Sequence, residues 1–412
     1  MSFDSTHSRL CRDLRASSLV TFAVLAVATL LTGCAGHGEN LFGSSAGEST
    51  GGAASSGASG DAPGGTGGNG ADGGNGPTGS AGQGSPLPGI RPDDPLSGDG
   101  CAGAACLNPD CQPYQGNAAP LDPFPNTGFD DKPAFIPNDV IIPTLDDAPD
   151  GADPSSDAYA PGSWTRSILS YFAANDLHWD FFMNTDNWCG PVLGSSADDP
   201  ECDRDFIEIL RHHNAGSHTV HHVHMGSDIP PDADHVVQSC DGPSSMNTCD
   251  SELAGVETVV NRLSNGGTPH LTRFRPPFGE PFQGGGPGLS TVQAVVAKYA
   301  VVVGWNLDSG DSSYHGRSCA KSPCPTGAGI AGVVQGLIGP APGMGTNHGI
   351  LLMHGTYRWT HEAIQLLFAP KTGYVASHGF RVGTVEDAIC WKYGMHSWQI
   401  VERLSGQARS AN

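Results

Sequence analysis

Short apolar runs alternate with stretches of helical periodicity over residues 140–382, and this alternation constrains the chain more than any other feature. Residues 140–145 (VIIPTL), 179–183, 271–274, 300–305, 349–353 and 380–382 read as strands. Residues 163–175, 204–213, 252–263, 290–299, 330–337 and 361–368 read as helices; in 204–213, Phe206, Ile207 and Leu210 fall at helix spacing. Strand and helix in succession indicate parallel strands joined by right-handed crossovers. The expected architecture is an α/β fold, an irregular β/α barrel. Pro143 is a blemish in its run, because a central strand needs every N–H for the ladder.

Residues 1–100 are not expected to join its core. Arg9, Arg12 and Arg15 precede an apolar run at 19–31, and Leu31-Thr32-Gly33-Cys34 follows. A basic start, a short apolar stretch and a small-residue site read as a removable export signal. The cysteine ending resembles a bacterial lipobox, which implies a lipid on Cys34; an ordinary signal peptide is the alternative. The expected location is the cell envelope outside the cytoplasm, with the outer membrane or cell surface as destinations. Residues 35–100 are dominated by Gly, Ser, Ala and Asn and bury too little to offset ordering entropy, so they are expected to form a disordered tether. A Cys- and Pro-rich lead-in (101–138), the main domain (139–400) and a short tail (401–412) complete the expected division.

The formal charge of −22 argues against nucleic acid and anionic membrane surfaces as partners and suits a neutral or cationic polymer. Of twelve cysteines, Cys11 and Cys34 fall in the export signal. Among the other ten, Cys189 with Cys202, Cys240 with Cys249, and Cys319 with Cys324 are close in sequence, and Cys101, Cys106, Cys111 and Cys390 keep the count even. In an exported chain this reads as disulfides that stabilise loops rather than a structural metal site.

Polar residues cluster where the strands end. Asp146-Asp147 closes the first, His218-Thr219-Val220-His221-His222 follows a helix and a turn, and Arg275-Pro276-Pro277-Phe278-Gly279 follows the third. Trp305-Asn306-Leu307-Asp308 and His354 end two more. In β/α barrels the C-terminal strand ends form the active face, so these segments converge. Two histidines four apart plus a carboxylate make a three-ligand site with a position open for water. Imidazole suits zinc and also cobalt or nickel. An adjacent carboxylate could accept a proton from water, an arginine could hold it ionised, and a strand-end histidine could protonate a leaving group. Singly, each motif has a plain explanation: Asp-Asp as a turn or cap, H-x-x-x-H as surface decoration, R-x-P-P-F as a rigid turn, His354 as a core residue. Their order and context favour the joint reading.

These five segments resemble the five ordered motifs of the polysaccharide deacetylases with NodB homology, carbohydrate esterase family four, across residues 139–388. Phe181-Phe182 resembles the second-strand pattern of that family. The resemblance implies an irregular NodB-type barrel that removes acetyl groups, chiefly N-acetyl, from an acetylated polysaccharide or oligosaccharide, acting as a monomer with one divalent ion, zinc ahead of cobalt or nickel. It implies Asp146 as general base, Asp147, His218 and His222 as ion ligands, Arg275 holding Asp146, and Thr219 supporting the loop. His354 would be the general acid, oriented by Asp308. The Phe278 backbone N–H would face the oxyanion, and Trp305 and Leu352 would line the acetyl pocket. Ala148 replaces the usual glycine, Phe278 the usual tyrosine, and Ser312 a frequent tryptophan. Three alternatives stay open: an O-acetyl (acetylxylan-type) esterase, a non-catalytic carbohydrate-binding surface protein, and a glycosidase using Asp146 with a second carboxylate.

Overall fold

The structure, a computed structural model, describes residues 106–129, 133–149, 164–185, 200–225, 248–264, 271–283, 285, 288–314, 325–343 and 347–410. The expected export signal, Cys34, the tether, and the cysteines at 101, 189, 240, 319 and 324 lie outside them. In chain order the elements are β1 (Val140–Ala148), α1 (Trp164–Asn175), β2 (Asp180–Met183), α2 (Pro200–His212), β3 (Asn214–Ser217), α3 (Cys249–Leu263) and β4 (Arg273–Phe274). Then come α4 (Leu289–Val296), β5 (Val301–Val302), β6 (Leu307–Asp308), α5 (Gly327–Ile338), β7 (Gly349–His354) and α6 (Arg358–Phe368). The chain finishes with α7 (Tyr374–Ser377), β8 (Arg381–Val382), α8 (Val385–Tyr393) and α9 (Ser397–Ser410). Among the described residues no helix is long and apolar enough to cross a membrane.

All strand pairs are parallel, in the order β5-β4-β3-β2-β1-β7-β6, with β8 also paired to β1. No ladder joins β5 to β6 among the described residues, so the barrel is open. Side chains alternate across the sheet. Ile141 and Leu145 of β1, Phe181 and Leu351 pack outward against Phe172, Phe206, Ile364 and Leu367 of the helices. Val140, Ile142, Phe182, Val301, Val303 and Ile350 face inward.

Pro143 sits in the central strand after all. The carbonyls of Asp139 and Ile141 accept from Arg381 and Gly383, so odd-numbered backbone groups of β1 face the edge shared by β8 and β2. β8 pairs only as far as Ile141 and β2 begins at Thr144. Proline's missing donor falls at the junction, where no ladder bond is required.

The lead-in segment is built into the main body. Thr127 N–H donates to Val302 O, and Val302 N–H to Pro125 O. A Cβ on Gly304 would lie 2.1 Å from Gly128 O, so only glycine permits this crossing. A Cys111–Cys390 disulfide ties the segment to α8. Cys106, Cys202 and Cys249 are also disulfide-bonded. The expected tail is different: α9 carries helix through residues 401–410, with Ile400 buried and Leu404 packed on the inner core.

Candidate metal centre

The polar residues gather at the C-terminal ends of β1, β3, β4 and β7. On a regular strand two adjacent aspartates would point to opposite faces. The pairing of β1 with β2 slips here: Asp146 faces Phe182, Ala148 faces Met183, and Asp147 is the extra residue, at φ 66°. This bulge re-aims Asp147, and both carboxylates reach one site. Ala148 is buried beside Gly355, where a Cβ would come within 2.9 Å of it.

Asp147 Oδ1 lies 3.4 Å from His222 Nε2 and 3.6 Å from His218 Nε2. One ligand atom from each of the three residues lies within 4.8 Å of the others. Tetrahedral ligands at about 2.0–2.1 Å from zinc stand roughly 3.4 Å apart, so the donor set fits a small divalent ion. Its chemistry also fits. His218 Nδ1 bonds Arg275 O at 2.7 Å, which leaves Nε2 facing the carboxylate. Burial, reinforced by His222, holds the His218 pKa well below its usual value, so the imidazole is neutral and available as a ligand. His221 turns the other way, with Nδ1 2.8 Å from Glu252 Oε1.

Asp146 is held by Arg275, whose Nη1 donates to Asp146 Oδ1 at 2.7 Å and to Thr144 Oγ1 at 2.6 Å. Thr144 in turn donates to Leu351 O. The guanidinium lies 4.2 Å from the Phe182 ring centroid and 5.6 Å from that of Trp305. Burial raises the Asp146 pKa to about 6 against the opposing charges of Arg275 and His354. A carboxylate in that range can exchange a proton near neutrality.

One expected partner is corrected. Asp308 is exposed and accepts from Gly310 N–H, whereas Asp311 holds His354. Asp311 Oδ1 is 2.8 Å from His354 Nδ1, and Oδ2 accepts from His354 N–H at 2.8 Å and Thr360 Oγ1 at 2.5 Å. Asp308 stands opposite Leu352 in the ladder, short of the strand end, while the turn Asp311–Tyr314 carries the next carboxylate beneath the histidine. Burial alone would lower the His354 pKa, but the Asp311 charge and hydrogen bond, with Asp147 and Asp146, push it up to about 10.

Phe278 sits at φ 58° in a single helical turn, Pro277–Gly279, and is 44% exposed. Its ring stacks on His224 at 4.2 Å and meets His222 edge-on at 4.6 Å. Trp305 is partly buried, with a Gly279 Cβ position 3.0 Å from its Cη2, and Leu352 is buried on β7. Sequence reasoning missed Phe129, whose ring meets Trp305 edge-on at 5.1 Å, and Glu252. Neither carries a local signal, because each reaches the site only through tertiary crossing.

No protein-family model and no curated protein matches this chain. Solved structures do. A peptidoglycan N-acetylglucosamine deacetylase is 16% identical, with 62% of this chain and 89% of that one covered and a TM-score of 0.40. The chitin deacetylase of the fungal pathogen Colletotrichum lindemuthianum is 18% identical, covering 61% and 87% at a TM-score of 0.38. A CE4 family pseudoenzyme from Bacillus anthracis is 16% identical, covering 62% and 66% at a TM-score of 0.39. Values this low leave function to the side chains. Each of these three structures is similar to about three-fifths of this chain.

Proposed function

We propose that this chain removes acetyl groups, N-acetyl in the first instance, from a cell-wall or extracellular polysaccharide, with one divalent ion, zinc foremost, held by Asp147, His218 and His222. One observation carries the reading: a three-donor cluster lies beside an arginine-held carboxylate and a carboxylate-held histidine. A non-catalytic binding protein has no need of that pairing, and a two-carboxylate glycosidase leaves the imidazoles without a role.

When bound, a divalent ion lowers the pKa of water and polarises a carbonyl. Asp146 accepts the proton of the attacking water, and Arg275 keeps its carboxylate oriented. The Phe278 N–H donates to the acetyl oxygen as negative charge builds there. His354 delivers its Nε2 proton to the departing nitrogen, while Asp311 holds Nδ1 and stabilises the imidazolium. Trp305 and Leu352 bound the space for the acetyl methyl.

The test is acetate release from a panel of N- and O-acetylated oligosaccharides, with chelator and then zinc or cobalt added. The expected result is release that stops with chelator and returns with the ion. Release indifferent to chelator, or none from any substrate, contradicts the reading. Export with a lipid on Cys34 and a monomeric state belong to the same proposal; a Cys34→Ser chain that stays membrane-bound would refute the anchor.

A further inference from the structure

The segment bearing the two imidazoles is strained, and a residue outside the ligand set answers that strain. Thr219 and His222 have φ values of 70° and 55°. Non-glycine residues take that conformation only where surrounding contacts over-determine it. Glu252, in the first turn of α3, is 1% exposed. Its Oε2 accepts from the Val220 and His221 N–H groups at 3.0 Å each, and Oε1 lies 2.8 Å from His221 Nδ1. On the carbonyl side, Asn184 Nδ2 donates to His218 O at 2.5 Å.

The geometry points to Glu252 as the positioning residue of the divalent-ion site. Its carboxylate gathers two successive N–H groups and draws the His221 ring out of the cluster, and the neighbouring His222 is thereby turned in. This explains how adjacent histidines take opposite directions. The inference rests on the ion site proposed above, since a loop with no ligand to hold gains nothing from this clamp. Charge-assisted hydrogen bonds are roughly twice as strong as neutral ones, and losing contacts that orient ligands weakens metal affinity by about 10–100-fold.

The experiment measures zinc Kd by chelator competition, and Tm of the zinc-free protein, for the full chain and the variants Glu252→Ala, Glu252→Gln and Val260→Ala. Val260 is a buried core residue of the same helix and controls for lost stability. Glu252→Ala is expected to weaken zinc binding about 10–100-fold. Glu252→Gln, whose amide oxygen still accepts both N–H groups while its NH2 meets His221, is expected to lose about threefold or more. Val260→Ala should lower Tm without moving Kd. Unchanged Kd in Glu252→Ala, or equal weakening in Val260→Ala, overturns the role. If Glu252→Ala does not fold, an unchanged Kd in Glu252→Gln overturns it alone. Wild-type protein that takes up no zinc instead refutes the ion site itself.

Discussion

Two buried arginines, Arg273 and Arg275, sit two residues apart at β4, on one face, and meet different fates. Arg275 bonds Asp146 at 2.7 Å beneath a partly open mouth, where His222 and Phe278 reach solvent. Arg273 donates to Ala215 O, and its Nη1 lies 3.9 Å from both Asp180 and Glu386. Those carboxylates are closed off by the last helices: Asp180 accepts from Val385 N–H, and Glu386 from Ser397 N–H and Oγ. Burial raises both aspartates against their arginines, Asp146 to about 6 and Asp180 to about 7. A perturbed carboxylate is therefore no mark of function by itself. The upper one stands beside an open donor set, and the lower one is sealed into the fold.

The sharpest test of this contrast exchanges each carboxylate for its amide. Asp146→Asn is expected to lower kcat by about 10²–10⁴-fold while zinc stays bound, as loss of a general base does. Asp180→Asn should leave kcat within about threefold, because its side chain lies outside the reach of substrate; a comparable kinetic loss would erase the distinction. Next, Arg273→Ala strands two buried carboxylates and should cost about 3–5 kcal/mol of stability by denaturant titration. A loss below about 1 kcal/mol would show that the 3.9 Å pairs matter little. Asp311→Asn should reduce kcat about tenfold or more and alter its pH profile, whereas Asp308→Asn should do neither.

A pH-dependent effect belongs to His213, between α2 and β3. Burial lowers its pKa to about 3, aided by His178 and His212. Between pH 6.5 and 3 the unfolded chain binds a proton that the folded chain refuses, so stability falls as pH drops through that window. The contribution at pH 5 relative to pH 8 is about 2 kcal/mol. His213→Phe should flatten that slope in denaturation curves; an unchanged slope would mean another group governs it.

Much of this was legible in the sequence because it is local. β1, β2, β4 and β7 announce themselves as apolar runs, and Asp146, Asp147, Arg275 and His354 follow directly from three of them, while His218 and His222 stand out by their own spacing. β3 (NAGS) was missed because Gly216 lies under Phe182, where a Cβ would sit 2.7 Å from the ring. Small residues there are a packing requirement, and they erase the strand pattern. α8 was missed for the opposite reason: it is buried on nearly all sides, so no amphipathic stripe remains, although Thr384 and Asp387 form a capping box. The family resemblance implies Asp308 as the partner of His354, and spacing says nothing of which carboxylate a turn folds back beneath a histidine.

Zinc stoichiometry tests the central claim most directly. Metal analysis after dialysis should find one equivalent per wild-type chain and close to none in Asp147→Ala, His218→Ala and His222→Ala, each still folded by circular dichroism. Retention of a full equivalent by folded His218→Ala and Asp147→Ala would contradict it.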